Sequence, residues 1–310
     1  MKLPSRTVGT VIGLSIIVAL AIAYRAALGS AVGVVLDAGW ILVPAFALFL
    51  VWNHAGTLAW RDLIVSTSEP GATPPTWRLA LARIESQALN LVVPAAGEVA
   101  RAARISDRRG RLSVALDLAA CTVAEFAFAV AALLLHPRFR PTSWLVSILV
   151  GLFAFAVALA WAWLPVLAAP LASRFALFAR LDRAVLWPFR RAVAWHLLEC
   201  FLGAGEIWLF ARALGISLTA ESIVFAAAAV RAATTLGGFV PGQVGVAEGS
   251  LVWAMTALGQ PPSAGIAVAL ARRGRQLVVL AAGALVLVAS ARWRAPSKGQ
   301  LHAHPVHPAR

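Results

Sequence analysis

The chain has 310 residues, 61% of them hydrophobic and 13% charged, with a mean hydropathy of +0.82. A soluble domain carries about a quarter charged residues, so the composition excludes an ordinary soluble protein and predicts an all-α, polytopic membrane chain. The net charge is +14, from 25 Arg and 2 Lys. These arginines are spread among apolar segments, which argues against nucleic acid as a partner, and Cys121 and Cys200 are too few for a disulfide framework or a metal site.

Thr7–Tyr24 is apolar behind Lys2 and Arg6. It is long and lacks a small-residue cleavage site, which predicts a retained first membrane helix rather than a signal peptide. Ala38–Trp60 has no Asp, Glu, Lys or Arg and reads as a span with Trp40 and Trp60 at its ends, where interfacial aromatics belong. Arg61 to Pro75 is a polar loop rich in turn residues. Trp77–Val93 alternates Arg78, Arg83 and Glu85 with leucines, so it reads as an amphipathic helix on the surface or dipping part-way in. Arg101–Arg111 is a basic loop, and Ser113–Leu135 a span carrying Asp117 and Glu125.

His136 to Thr142 reads as a turn, and Pro141–Ser173 as one helix that bends at Pro165 and Pro170. Arg174–Arg191 is basic and amphipathic, followed by a span at Ala192–Phe210 with His196, Glu199 and Glu206. Ala220–Leu236 is a span holding Arg231, and Phe239–Leu258 contains a run of Pro and Gly residues. Gly259–Gly265 is a turn, and Ala264–Ala291 a last helix with Arg272, Arg273 and Arg275 inside it. The expectation is about eight membrane helices in one transmembrane domain, 1–291, with a polar tail at 292–310. The basic loops then share the cytoplasmic side.

Two stretches interrupt the apolar pattern. GGFVPGQVGVAEG, from Gly237 to Gly249, holds Pro241, Gly242, Gly245 and Glu248; PAAGEVAR, from Pro94 to Arg101, repeats the order Pro, Gly, Glu more weakly. Broken backbone at membrane depth is tolerated only where protein or a wet cavity receives its polar groups. Paired interrupted segments point to a transporter's substrate site. They predict two pseudo-repeat halves, about 1–135 and 141–291, each with a broken or re-entrant segment.

Each ionisable group inside a span costs at least about 2.5–3.5 kcal/mol. The acids are Asp117, Glu125, Glu199, Glu206 and Glu248, and the bases Arg231, Arg272, Arg273 and Arg275. For Asp117, Glu199 and Arg231, mutual pairing that locks the bundle explains their presence. For Glu98, Glu248 and Arg272, broken backbone and charge coincide, which favours a site. Arg272 and Arg275 share a helix face at i,i+3 and can grip an anionic headgroup, with Arg273 turned away. No metal-ligand spacing, nucleophile elbow or phosphate-binding loop is present in the sequence, so neither enzyme chemistry nor a cofactor is expected.

These residues resemble the integral-membrane region of the lysylphosphatidylglycerol synthase superfamily, the flippase-like domain proteins. The resemblance rests on Asn90, Pro94, Gly97, Glu98 and Arg101 in the first half, and on Pro241, Gly242, Gly245, Glu248 and Gly249 in the second. The Arg272–Arg273 pair completes it. FVPGQVGVAEGSLVW, ALARRGRQL and Glu206 are most similar to the hopanoid biosynthesis-associated branch. The resemblance implies a multi-pass protein of the bacterial cytoplasmic membrane that moves or distributes a phospholipid, hopanoid or isoprenoid-type lipid. Substrate-binding or gating roles fall on Asn90, Pro94, Glu98, Arg101, Glu206, Pro241, Gly242, Gly245, Glu248, Arg272, Arg273 and Arg275. The implied partners are membrane lipids with an anionic headgroup or terpenoid body, and a lipid-synthesis enzyme. The alternatives are a membrane-embedded transferase on an isoprenoid or glycolipid substrate, and a non-catalytic partner of a lipid synthase.

Overall fold

The computed structural model describes residues 33, 35–68, 73–93, 95–105, 111–135, 183–238, 240 and 243–294. The expected helices at Thr7–Tyr24 and Pro141–Ser173, the prolines Pro94 and Pro241, Gly242 and the tail from 295 onward lie outside them. Among the described residues every regular element is helical. A short 3-10 turn, Gly39–Leu42, leads into α1, Val43–Thr67; then come α2, Thr76–Val92, α3, Ala96–Ala103, and α4, Leu112–Leu135. After them follow α5, Arg183–Ala213, α6, Ala220–Leu236, α7, Val246–Ala257, and α8, Pro262–Arg294.

Local chemistry sets these boundaries. Pro44 and Pro262 sit in first turns, where the missing N–H would have had no partner. This is why α8 begins inside the expected Gly259–Gly265 turn. Thr219 caps α6 by accepting the Ser222 N–H at 3.3 Å. Pro188 lies inside α5 and costs it one internal hydrogen bond, yet the helix continues through it. The expected amphipathic segment and the following span are therefore one continuous helix from Arg183.

α5 is the spine of the bundle, packed along α1 and against α4, α6 and α8. The contacts are alanine-rich: Ala45, Ala204, Ala226 and Ala254 are almost fully buried beside Phe128, Phe210 and Met255. Small residues let helix backbones approach, which is how membrane bundles gain contact without a hydrophobic driving force. The outer faces stay apolar, with Leu50, Val51, Leu118, Leu198, Phe201, Leu277 and Leu285 all exposed. That exterior suits lipid rather than water. By length and composition, two described stretches, Leu112–Leu133 and Val185–Ala213, are long and apolar enough to cross a membrane.

The two interrupted stretches are helical hairpins. After α2 the chain turns through Ala95, in the left-handed region at φ 63, and α3 folds back along α2. A Cβ on Gly97 would fall inside the Ser86 carbonyl, so only glycine permits the approach. After α6 the chain turns through Gln243 (φ 52) and Gly245 (φ 81) into α7. There a Cβ on Gly237 would lie 2.8 Å from Val246. Both hairpins follow a 17-residue helix, place a left-handed residue at the N-cap, and put a glutamate third in the short helix, Glu98 and Glu248. At 8 and 12 residues, α3 and α7 measure about 12 and 18 Å, too short alone for a hydrocarbon core of about 30 Å.

Candidate functional site

The first hairpin is held by its own polar side chains. The Asn90 carbonyl accepts the Gly97 N–H at 2.8 Å, and its amide donates to Glu98 at 2.9 Å. Asn90 therefore satisfies an N–H at the start of α3 that no helix carbonyl can reach. Glu98 lies 3.8 Å from Arg101, which donates to Asp117 of α4 at 2.6 Å. The Arg101 guanidinium also sits over the Trp60 ring, 5.1 Å from its centre, and the Trp60 N–H donates to Ser113 at 3.1 Å. Asn90, Glu98 and Arg101, picked out by motif, thus form one connected group.

Asp117 carries this group into the bundle. It lies 2.9 Å from His196 Nε2 and 3.6 Å from Arg83. Glu199 accepts Arg83 at 2.7 Å and lies 2.7 Å from His196 Nδ1. Arg83 also donates to the Gly56 carbonyl at 3.0 Å, and its guanidinium fills the space a Cβ on Gly56 would need. All four charged side chains are buried, His196 to 1% exposure and Arg83 to 8%. Beyond them, Arg231 donates to Glu125 at 3.0 Å and to the Glu199 carbonyl at 3.5 Å, while Thr235 donates to Glu125. The pairing expected for Asp117, Glu199 and Arg231 is present.

The amphipathic helix predicted for Trp77–Val93, on the surface or dipping part-way in, is present as α2, with Arg83 and Glu85 buried. α2 packs against α1 and α8, and both residues face inward, Glu85 paired with Arg104. Their partners come from elements distant in sequence, so no local pattern marks them. The signal that was available is the run Ala82, Arg83, Glu85, Ser86 and Ala88, whose small residues suit a close helix contact rather than a wet face.

The second hairpin has a separate charge set. Glu248 accepts the Gly245 N–H at 2.8 Å, closing the start of α7, and also pairs with Arg273 of α8. Arg273 donates onward to Gln276. Glu248, Arg273 and Gln276, with Ala247, Leu251, Ala269 and Arg272, line a shallow recess with room for about one water molecule. Arg272 has no carboxylate partner among the described residues, and its buried Nε lacks a hydrogen bond.

Arg275 does not join Arg272 there. It lies 2.6 Å from Glu206 of α5, with Phe49 and Trp52 stacked 5.3 and 5.5 Å from its guanidinium. The expected Arg272–Arg275 face is thus replaced by Arg272 and Arg273, and Arg273 points in rather than away. A helical step of 100° is bridged by an arginine's length, and the buried Glu206 claims Arg275. Glu206 pairs with Arg275, and Gly245 makes the turn into α7.

Neither the curated proteins nor the solved structures contain a match to the chain. A family model described as the lysylphosphatidylglycerol synthase TM region matches residues 7–283. That span includes both hairpins, the buried charge chain and the recess. By this match the chain belongs to the lysylphosphatidylglycerol synthase transmembrane-region family.

Proposed function

We propose that the protein is a lipid translocator of the bacterial cytoplasmic membrane, a multi-pass bundle of two pseudo-equivalent halves. It carries a lipid with an anionic headgroup, on a phospholipid or a terpenoid tail, past the hairpin formed by α6 and α7. One observation carries this reading: Arg272 lines a recess beside broken backbone, its Nε is buried without a hydrogen bond, and among the described residues no carboxylate lies in ion-pair contact with it. A buried donor without an acceptor is costly. An oxyanion entering the recess removes that cost, and the planar guanidinium can offer it two parallel donors.

The neighbouring groups fit passage rather than chemistry. The polar wall of the recess consists of two guanidiniums, an amide and a carboxylate already bonded to Gly245 and Arg273. Arg273 is the movable member. It is shared between Glu248 and Gln276, so a headgroup phosphate can compete for it and open the Glu248–Arg273 contact. Asn90, Glu98 and Arg101 hold the corresponding hairpin of the first half.

The test is movement of a fluorescent phosphatidylglycerol in proteoliposomes, read by dithionite quenching of the outer leaflet. Wild type makes the inner pool accessible. Arg272→Gln slows this at least about tenfold, since a charge-assisted contact is worth about 1.5–3 kcal/mol, whereas Arg212→Gln, on the exposed end of α5, does not. Equal rates for wild type and Arg272→Gln refute the assignment.

A further inference from the structure

His196 is buried between two carboxylates, and both of its ring nitrogens face an oxygen: Nδ1 lies 2.7 Å from Glu199 and Nε2 lies 2.9 Å from Asp117. A neutral imidazole has one donor and one acceptor, and an ionised carboxylate only accepts. A neutral ring would therefore set a bare nitrogen lone pair against a carboxylate. With both carboxylates ionised, this geometry places a proton on each ring nitrogen, one more than neutral histidine carries.

Charge balance agrees. Glu98, Asp117 and Glu199 stand against Arg83 and Arg101, so three acids meet two arginines and the imidazolium supplies the third positive charge. The other groups around the ring have their own places. Cys121 of α4 also contacts the imidazole through its thiol, and Glu125 of the same helix pairs with Arg231 of α6. On α1, Asp62 is held by Arg191 and Trp195, and His54 is exposed. On α8, Arg275 pairs with Glu206. Two guanidiniums at the site make it hostile to a metal cation.

We infer that His196, between Asp117 and Glu199, is the binding site of a proton that is exchanged during lipid movement, so that transport is driven by the proton gradient. This deepens the translocator reading and rests on it. On release the N–H bond breaks at Nε2 or Nδ1, the proton passes to the facing carboxylate and then to water, and no other bond changes. The cluster is left one positive charge short. Arg101, 2.6 Å from Asp117 and 3.8 Å from Glu98, is then drawn further to Asp117 and releases Glu98. The proton thereby acts on the hairpin of α2 and α3, whose closure Glu98 shares with Asn90.

Two measurements test this. The first is the solid-state 15N spectrum of a full-length protein in which every other histidine is replaced by Gln. The inference requires both ring nitrogens to be protonated at pH 7, and a neutral ring with one bare nitrogen overturns it. The second imposes a pH difference across the proteoliposomes. One proton per lipid gives up to about tenfold leaflet asymmetry for each pH unit, with matching alkalinisation of the acidic side followed by a pH dye. His196→Gln loses this dependence. Movement that ignores the gradient in wild type, or the same gradient response in His196→Gln, overturns the inference while leaving a translocator in place. No lipid movement under any gradient removes both readings. Should His196→Gln fail to fold, the wild-type gradient response and the 15N spectrum decide.

Discussion

Removing the Arg83 guanidinium should leave a buried cluster one cation short, with Glu199 held by His196 alone and Asp117 by His196 and Arg101. Arg83 lies 2.7 Å from Glu199 and 3.6 Å from Asp117, and its side chain is 9% exposed. Breaking a buried ion pair from one side costs about 3–5 kcal/mol, since the remaining charge stays in low dielectric. Arg83→Met keeps most of the volume and removes the charge. At about 2–4 °C per kcal/mol for a chain of this order of size, the melting point in detergent should fall by roughly 10 °C. The protein carries its own reporter: Cys200 is buried and Cys121 partly so, and a thiol-reactive dye labels them on unfolding. Adding Glu199→Gln to Arg83→Met should recover part of the loss by removing one excess negative charge. A melting point within about 1 °C of wild type for Arg83→Met would show that the pairs carry no stability and refute the reasoning.

Three further outcomes follow from the same geometry. Arg275→Gln should lower the melting point more than Arg272→Gln, because it strands Glu206, while slowing lipid movement less; the dye and the dithionite assays read the two effects separately. Gly97→Ala should destabilise by about 1–3 kcal/mol, as the added methyl meets Ser86 at the crossing of α2 and α3, despite the better helix propensity of Ala; an unchanged melting point counts against that close approach. Glu248→Gln keeps an acceptor for the Gly245 N–H but loses the charge opposite Arg273, so it should melt close to wild type and bind an anionic lipid more tightly, measured by native mass spectrometry of bound phosphatidylglycerol.

Much of this was visible in the residues alone. α6 coincides with the predicted Ala220–Leu236 because Thr219 and Gly237 bracket an apolar run with a cap and a stop. The hairpins were legible as Pro and Gly interruptions carrying an acid, since few other patterns need both. Arg83 was not legible. Its acidic partner Glu199 lies 116 residues away, and a helix that alternates arginine with leucine reads the same whether its polar side meets water or buried carboxylates. Side-chain length defeated the reading of α8. Angles on a helical wheel group Arg272 with Arg275, but Glu206, on another helix, decides which arginine is consumed. The continuity of α5 was obscured by Pro188, which reads as a helix breaker in sequence but is carried inside this helix.

The headgroup seat is tested most directly by labelling the protein with a phosphatidylglycerol that carries a photoactivatable group beside its phosphate. In wild type the label should map to the peptides holding Ala247–Leu251 and Ala269–Gln276, which line the recess, and Arg272→Gln should remove it there. A label spread over the apolar outer faces, or one at the recess that Arg272→Gln leaves unchanged, would contradict the proposal that Arg272 receives the lipid's anionic group.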